Sequence, residues 1–322
     1  MATYLSKTLS LDPNLYGRLA PILDGIGESW ELVLVNDGST DATLDVMQRL
    51  RAQDGRVAIL NLSRNFGKEV ATTSGLDHAR GDAVILIDAD LQDPPELIPE
   101  LVVWWRQGFD TVYAQRRQRF GETWIKRATA SVFYRILSLT GPVKVPHDTG
   151  DFRLISRRVV TALGGLRERH RFMKGLFAWV GYPSHAVLYD RAPRNAGHSA
   201  WSYWKLWNLA LEGITGFTTA PLRMATYTGL IIGTGALVYL GEIVLSTLLF
   251  GNPVSGYPSL LAVILLLGAT QLVTLGIIGE YLARVFNEVK HRPLYIIEQF
   301  QPSSALDSKN MVDRTTNTLA SK

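Results

Sequence analysis

Four oxygen-bearing side chains lie close together in one short segment of the chain, Asp88-Ala89-Asp90-Leu91-Gln92-Asp93. Asp88 and Asp90 follow an apolar run, so their carboxylates can meet at the end of a buried strand, where Gln92 adds a neutral oxygen. Ligands that are all oxygen suit Mg²⁺ or Mn²⁺, and a diphosphate can complete the octahedron. We therefore predict that Asp88, Asp90 and Gln92 bind a divalent metal. The alternative is an Asp-rich turn that caps the next helix, because D-x-D has many chance matches.

A second acidic side chain, Asp37, follows another apolar run, in Val35-Asn36-Asp37-Gly38-Ser39-Thr40-Asp41. A carboxylate at such a strand end can accept hydrogen bonds from a base or a ribose, while Ser39 or Asp41 caps the next helix. The alternative for Asp37 is a capping turn that binds no ligand. Because two acidic strand ends would lie side by side, we favour a nucleotide site.

Positively charged side chains cluster in three places: residues 116–119, residues 167–174, and Arg191 with Arg194. Arginine forks bind phosphate well, so these clusters suit a lipid phosphate or a leaving diphosphate. The alternative is a solvated basic face attracted to anionic lipid, which we favour for Arg167 and Arg169. No G-x-x-x-x-G-K-[ST] or G-x-S-x-G motif is present in the sequence, and no feature indicates a nucleic-acid partner.

Short runs rich in Val, Ile and Leu alternate with amphipathic stretches over the first two-thirds of the chain, as in a doubly wound α/β domain with a parallel sheet. The acidic residues then fall at the carboxyl ends of strands, where open sheets bind their ligands. The predicted strands are residues 32–35, 57–62, 83–87, 111–114, 148–156 and 185–188, and the predicted helices are residues 42–51, 68–78, 95–107 and 167–179.

Charged residues are nearly absent from one part of the chain, since Glu242 is the one such side chain in residues 224–279. Residues 225–250 and 259–279 are each long enough to cross about 30 Å of hydrocarbon as a helix. Residues 251–258 between them are rich in turn formers, so we predict a two-span hairpin. This composition excludes a purely soluble enzyme, and it excludes a polytopic transporter because most of the chain is not lipid-compatible.

Arg223 precedes the predicted hairpin, and Arg284, Lys290 and Arg292 follow it. The positive-inside rule therefore places both chain ends and the large domain on the cytoplasmic side of the inner membrane. We predict a catalytic domain, an amphipathic interfacial helix containing three tryptophans, the hairpin, and a cytoplasmic tail that is polar and disordered after Phe300. Their respective bounds are residues 1–200, 201–222, 223–283 and 284–322. Since the chain has no cysteine, a disulfide framework and a thiolate zinc site are excluded.

Several motifs, in their order along the chain, resemble those of family 2 glycosyltransferases that act on polyisoprenyl phosphates. The combination looks most like the bacterial polyisoprenyl-phosphate glucosyltransferases, which are relatives of dolichyl-phosphate mannose synthase. The resemblance covers about residues 30–300. The motifs are Asn36–Asp41, Asn65-Phe66-Gly67-Lys68-Glu69, Asp88–Pro95, Gly121-Glu122-Thr123-Trp124 and Thr149-Gly150-Asp151-Phe152-Arg153, followed by the hairpin.

The resemblance implies a GT-A (Rossmann-like) fold and inverting transfer of a hexose, with glucose favoured, from a UDP-sugar to a polyisoprenyl phosphate such as undecaprenyl or dolichyl phosphate. It also implies an Mg²⁺ or Mn²⁺ cofactor and a homo-oligomer, plausibly a tetramer, packed through the hairpins. Asp151 matches the proposed catalytic carboxylate, Asp90 acts with it through the metal, and Asp37, Asp88, Gly67 and Lys68 are candidates for donor binding. The candidates for binding the acceptor or the diphosphate are Arg117, Arg119, Arg153, Arg171, Lys174, Arg194 and Ser199.

Two departures from the family pattern keep alternatives open. The N-terminal segment lacks the P-x-Y-N-E-type turn that holds the nucleotide base in relatives, and Ala200 replaces the lysine that usually follows Ser199. The alternatives are the same reaction with mannose, N-acetylglucosamine or an aminoarabinose derivative, and a catalytically impaired, membrane-anchored binder of nucleotide sugars. A processive polysaccharide synthase is disfavoured, because such enzymes need more spans and a Q-x-x-R-W-type helix.

Overall fold

The computed structural model describes residues 2–7, 13–89, 93–117, 149–169, 171–189, 220–251 and 256–304. The chain forms two compact units, one of residues 1–135, 143–202 and 292–322, the other of residues 136–142 and 203–291. Several predictions fall outside the described residues: those for residues 201–219 of the interfacial helix, and those for Asp90, Gln92, Arg119, Arg194 and Ser199.

The first unit is built on one eight-stranded sheet with the order β7-β5-β6-β4-β1-β2-β3-β8. The strands β1 to β4, together with the pair β5 and β7, run parallel, whereas β6 is antiparallel to both of its neighbours and β8 is antiparallel to β3. The strands are Ala2–Lys7, Glu31–Asn36, Val57–Leu62, Ala83–Asp88, Thr111–Arg116, Thr149–Ser156, Ser184–Tyr189 and Ile297–Gln301, numbered β1 to β8.

The sheet is therefore mixed: β2, β3 and β4 run parallel as predicted, whereas β6, for which no direction was predicted, and β8, which was not predicted, are antiparallel to their neighbours. Apolar runs report that a strand is buried but not which way it runs. The antiparallel insertion of β6 matters for the site, because the pairing of Leu86 with Arg153 brings the start of β6 to the carboxyl end of β4.

Helices cover the sheet and bury their apolar sides against it. Leu15, Leu19 and Leu23 recur every four residues along α1 and are all buried, which is the spacing of a helix face turned to a core. Residues of β2 and β3 are buried throughout, as expected for central strands covered on both faces. The helices are α1 Pro13–Gly25, α2 Thr43–Gln53, α3 Lys68–His78, α4 Ile98–Arg106 after a 3₁₀ turn at Pro95–Leu97, α5 Arg157–Gly165 and α6 Met173–Trp179.

The helix predicted over residues 167–179 begins only at Met173, and the described residues before it, 166–169 and 171–172, are not helical. Helix α3 matches its predicted bounds. Its residues 71–76 are buried on all sides, and they are mostly small, which lets the helix lie close to β1 and β2.

The second unit contains two long helices that contact each other, α7 Ala220–Phe250 and α8 Tyr257–Val289. Large apolar side chains are exposed on both, including Leu248 and Leu272. By length and composition, the 24 residues Leu266–Val289, of mean hydropathy 1.4, are apolar enough to cross a membrane, while Met224–Tyr239 is a shorter apolar stretch. The helices lie where the spans were predicted, and the two-span hairpin stays a prediction.

After α8 the chain returns to the first unit as β8, which pairs with β3 at the edge of the sheet. Ser303 beyond it is fully buried, and its hydroxyl donates to the buried Glu31 carboxylate. The prediction of disorder after Phe300 is therefore wrong for residues 301–304. These polar residues are ordered because they satisfy polar groups that the sheet buries.

Candidate active site

The turn before α3 is held by Asp37, which follows β2 and is almost fully buried. Its two carboxylate oxygens accept hydrogen bonds from the backbone N–H groups of Phe66, at 2.7 Å, and Gly67, at 2.9 Å. A carboxylate that accepts backbone N–H groups in this way fixes the position of the next helix. Asp37 thus holds the turn that leads into α3, and its predicted contact with a nucleotide stays a prediction.

Gly38 brings the loops after β2 and β3 into direct contact. Its φ is +66°, and a Cβ atom there would lie 2.4 Å from the backbone nitrogen of Asn65 and 2.5 Å from the carbonyl carbon of Arg64. Backbone atoms cannot move aside as a flexible side chain can. A glycine is therefore required at this position for the turn of residues 65–67 to reach Asp37.

Lys68, the first residue of α3, joins two of the predicted site residues. Its Nζ donates to Asp88 Oδ2 at 2.7 Å and lies 2.5 Å from Asp151 Oδ2. Asp88 ends β4 and Asp151 belongs to β6, so three separate elements meet at one ammonium group. The structure thus brings together the predicted donor-binding residues Lys68 and Asp88 and the predicted catalytic carboxylate.

The ionisation of these groups follows from burial opposed by charge. Burial alone would raise the pKa of Asp151, but Lys68 and Lys174 outweigh it and lower that pKa to about 2. Burial also raises the pKa of Asp88, to about 6, despite the opposing charge of Lys68. Burial lowers the pKa of Lys68, yet Asp151 and Asp88 raise it above its usual value. Asp151 and Lys68 are therefore ionised together at neutral pH.

Two further predicted residues brace the segment that carries Asp151. Arg153 is buried, its Nη2 donates to the Gly150 carbonyl at 2.9 Å, and its guanidinium lies 4.0 Å above the Phe177 ring. Lys174 Nζ donates to the Thr149 carbonyl at 2.9 Å, and burial lowers its pKa. The described hydrogen bonds of Arg153 and Lys174 therefore go to backbone carbonyls at the start of β6, next to Asp151.

The other two described arginines of the predicted site differ in exposure. Arg171 is buried, and its Nη1 donates to the Leu166 carbonyl at 2.6 Å. Its Nε, within the described part of the chain, has no hydrogen-bond partner. Arg117 is exposed at the carboxyl end of β5, and its backbone N–H donates to the Tyr189 carbonyl. Of these two arginines, Arg117 is therefore exposed at the carboxyl edge of the sheet, whereas Arg171 is buried.

Two contacts at the site were not anticipated from the sequence. Glu69 Oε2 accepts the Met173 N–H at 2.8 Å, and Asp93 Oδ1 accepts the Tyr189 hydroxyl at 2.6 Å. Both acids belong to the motifs that suggested the family, and this was the only signal that could have singled them out. Their partners lie 104 and 96 residues away in the chain, a distance over which no local pattern operates.

The metal prediction rests on Asp88, Asp90 and Gln92, of which Asp88 is described. Among the described side chains, no group of three or more His, Cys, Asp and Glu is arranged to hold a metal. Asp88 itself fits a hard divalent cation, since it is a partly exposed carboxylate at a strand end.

Comparisons with known proteins identify the family. The profile of Glycosyl transferase family 2 matches residues 12–164. The chain is 53% identical over 284 residues to an uncharacterized glycosyltransferase of Synechocystis sp., covering 88% of this chain and 89% of that protein. It is 51% identical over 268 residues to the bactoprenol glucosyl transferase of Shigella phage SfV, covering 83% of this chain and 87% of that protein.

A solved structure, glucosyl-3-phosphoglycerate synthase from Mycobacterium tuberculosis in complex with Mn²⁺ and UDP-glucose, matches at 20% identity with a TM-score of 0.44. The match covers 66% of this chain and 76% of that one, a similarity too distant to carry an argument about ligands. The family profile and the closely similar relatives confirm the family inferred from the motifs, and with it a glycosyltransferase activity on a GT-A-like fold with a mixed sheet. The chain belongs to glycosyl transferase family 2.

Proposed function

We propose that this chain transfers glucose, with inversion, from UDP-glucose to a polyprenyl phosphate at the cytoplasmic face of the membrane. The observation that carries the proposal is the 51% identity with the bactoprenol glucosyl transferase of phage SfV, which extends over 83% of this chain. That span reaches beyond the family profile at residues 12–164, so the similarity includes parts of the chain outside the common domain.

In the proposed reaction, an oxygen of the lipid phosphate attacks the anomeric carbon, and the bond from that carbon to the UDP oxygen breaks. Polyprenyl phosphate glucose and UDP are the products. The acceptor monoester has a second pKa of about 6, by analogy with phosphorylated side chains, so it is largely dianionic at neutral pH and needs no strong base. Asp151, with its pKa lowered to about 2, suits a positioning role better than proton removal.

A divalent cation held by Asp88, Asp90 and Gln92 would neutralise the diphosphate as it leaves. The chain's own residues supply the geometry. Asp37 positions the turn that carries Lys68, and Lys68 links Asp88 to Asp151. We assign Arg117, together with Arg119, Arg194 and Ser199, to the anionic groups of acceptor and donor, because arginine forks orient phosphate.

The transfer assay combines the purified full chain with radiolabelled UDP-glucose, Mg²⁺ and undecaprenyl phosphate. Labelled lipid that mild acid cleaves supports the proposal, and a parallel panel of UDP-linked and GDP-linked sugars identifies the preferred hexose. Asp90→Ala should abolish the product by removing a metal ligand. The control is Arg167→Ala, which removes a surface arginine paired with Asp77. Binding of UDP-glucose without labelled lipid would favour the impaired-binder alternative instead.

We also propose that α7 and α8 form the predicted two-span hairpin, with both chain ends cytoplasmic. The chain has no cysteine, so single cysteines introduced at Ser255, between the helices, and at Ser308, in the tail, can be labelled without background. In intact cells an impermeant maleimide should label the cysteine at position 255 and not that at 308. Labelling of neither cysteine or of both would contradict the hairpin.

The predicted homo-oligomer needs a separate measurement. Light scattering of the full chain, purified in detergent, gives its mass and tests this prediction.

A further inference from the structure

Lys68 lies between two carboxylates that the proposed reaction uses. Its ammonium is in contact with Asp88, a proposed metal ligand, and with Asp151, at 2.7 and 2.5 Å. An ammonium has three donors, so it can serve both carboxylates at once. Two ionised carboxylates that converge in a partly buried site would repel each other without a cation between them. Lys68 provides that cation.

We propose that Lys68 is an internal counter-ion that competes with a divalent metal for Asp88, so that the metal enters the site together with the nucleotide diphosphate rather than alone. The proposal rests on the proposed function, because it takes Asp88 to be a metal ligand. Lys68 is a positioning residue in this proposal, since it acts through its contacts with Asp88 and Asp151.

The competition follows from charge and from the position of Asp151. A divalent cation bound to Asp88 would lie beside an ammonium that is in direct contact with the same carboxylate, and like charges so close repel strongly. The Lys68 ammonium can release Asp88 and still have its charge balanced, because it remains paired with Asp151. The Lys68 side chain is also long and partly exposed, so it can move. The anionic diphosphate offsets the ammonium, so a metal that arrives with UDP meets less repulsion than a metal alone.

The neighbouring lysine provides a matched comparison. Lys174 belongs to the same charged cluster, which consists of Lys68, Lys174, Asp88 and Asp151, and both lysines lower the pKa of Asp151. The ammonium of Lys174, however, donates to the Thr149 carbonyl and not to Asp88. If the metal responds to the overall charge of the cluster, removal of either lysine should have the same effect. If Lys68 competes for Asp88 directly, only its removal should strengthen binding of the bare metal.

The experiment measures Mn²⁺ binding to the full-length, detergent-solubilised protein by electron paramagnetic resonance of free Mn²⁺, with and without UDP. Lys68→Met should bind Mn²⁺ alone at least about tenfold more tightly than wild type, and UDP should enhance that binding less. Lys68→Arg, which keeps the charge, should resemble wild type, and Lys174→Met should change the affinity for Mn²⁺ alone less than threefold.

The double variant Lys68→Met with Asp151→Asn keeps the net charge of the cluster and leaves no uncompensated Asp151, so it guards against misfolding of the single variant. It should also bind Mn²⁺ alone more tightly than wild type. The inference is overturned if both Lys68→Met proteins bind bare Mn²⁺ no better than wild type while UDP-dependent Mn²⁺ binding and transfer to lipid persist. Absence of Mn²⁺ binding in every protein, even with UDP, would overturn the metal site of the proposed function along with it.

Discussion

Glu69 and Met173 are 104 residues apart in the chain, and the Glu69 carboxylate accepts a 2.8 Å hydrogen bond from the Met173 backbone N–H. The bond ties the first turn of α3 to the start of α6. Each partner is adjacent to a lysine of the charged cluster, Lys68 on one side and Lys174 on the other. The bond therefore helps to position the segments that carry the two ammonium groups, whose own contacts are with Asp88, Asp151 and Thr149.

We expect Glu69→Gln and Glu69→Ala to behave differently. An amide oxygen can still accept the Met173 N–H, whereas alanine leaves that donor without its partner. A hydrogen bond to a charged group is worth about 1.5–3 kcal/mol, which corresponds to roughly ten- to hundredfold in local opening. Hydrogen exchange of the peptide containing Met173 should therefore accelerate by roughly that factor in Glu69→Ala and change little in Glu69→Gln.

The thermal stability of Glu69→Gln gives the sign of the charge effect. Burial, with repulsion from Asp151, raises the pKa of Glu69 above its unfolded value. When folding raises the pKa of a carboxyl, the folded protein loses stability as the pH rises from the unfolded pKa past the folded one. The ionised Glu69 carboxylate therefore lowers the free energy of unfolding at pH 8. Glu69→Gln should thus melt at or above the wild-type temperature at pH 8. A clear decrease would mean that the charge itself stabilises the cluster.

Gly38→Ala should be far more damaging than Gly27→Ala, although both glycines have positive φ. At Gly38 a Cβ would meet the backbone of Arg64 and Asn65 at 2.4–2.5 Å, whereas at Gly27 no atom lies within 4 Å. The control Gly27→Ala should cost about 1–2 kcal/mol, the backbone penalty alone. Gly38→Ala adds a steric clash that must displace the turn before α3. Thermal melting and UDP binding check the pair, and equal effects would contradict the close approach.

The elements with the clearest local signals were predicted best. Val57–Leu62 and Lys68–His78 have the predicted bounds, because a buried apolar run and a helix start after a glycine turn are both local properties. Strand β8 was missed because its residues are largely polar and exposed, and it exists through pairing with β3 some 240 residues earlier. Strand β1 lies at the centre of the sheet, although its segment stood out in the sequence only because it lacks the N-terminal P-x-Y-N-E-type turn of the family.

Of the candidate site, too, the sequence predicts the local features but not the contacts between distant segments. The positions of Asp37, Asp88 and Asp151 could be proposed from motifs, since motif residues keep their order along the chain. Their contacts could not, because the link from Lys68 to Asp151 depends on β6 running antiparallel to β4. Strand direction is a tertiary property, and the partner of a buried acid such as Glu69 is decided by packing between distant segments.

Ser303→Ala should destabilise the first unit, whereas Ser304→Ala should not. The Ser303 hydroxyl donates to Glu31, a carboxylate that is 1% exposed, and Arg80 donates to Ser303 as well. Loss of a buried hydrogen bond to a charged group costs about 1–3 kcal/mol. Ser304 is exposed, and water can replace the hydrogen bond from its hydroxyl to the Gly55 carbonyl, so this substitution should cost only about 0.5 kcal/mol. Melting of the two detergent-solubilised variants, compared with wild type, measures the difference, and similar melting temperatures would contradict the docking of this segment.

Asp151→Asn should reduce transfer by the same factor at every pH from 6 to 8. The pKa of Asp151 is lowered to about 2, so the carboxylate is ionised throughout this range and contributes no pH dependence of its own. The loss should be at least about tenfold, since Lys68 and Lys174 lose the charge that holds them, and a tenfold loss corresponds to about 1.4 kcal/mol of barrier. Both proteins should lose activity below about pH 6, as the lipid phosphate gains its second proton.

The measurement is kcat/KM for the lipid acceptor at each pH. If Asp151 were instead a base that titrates near neutrality, wild type would lose its advantage over Asp151→Asn as the pH falls from 8 to 6, and a ratio that shrinks in this way would contradict a positioning role.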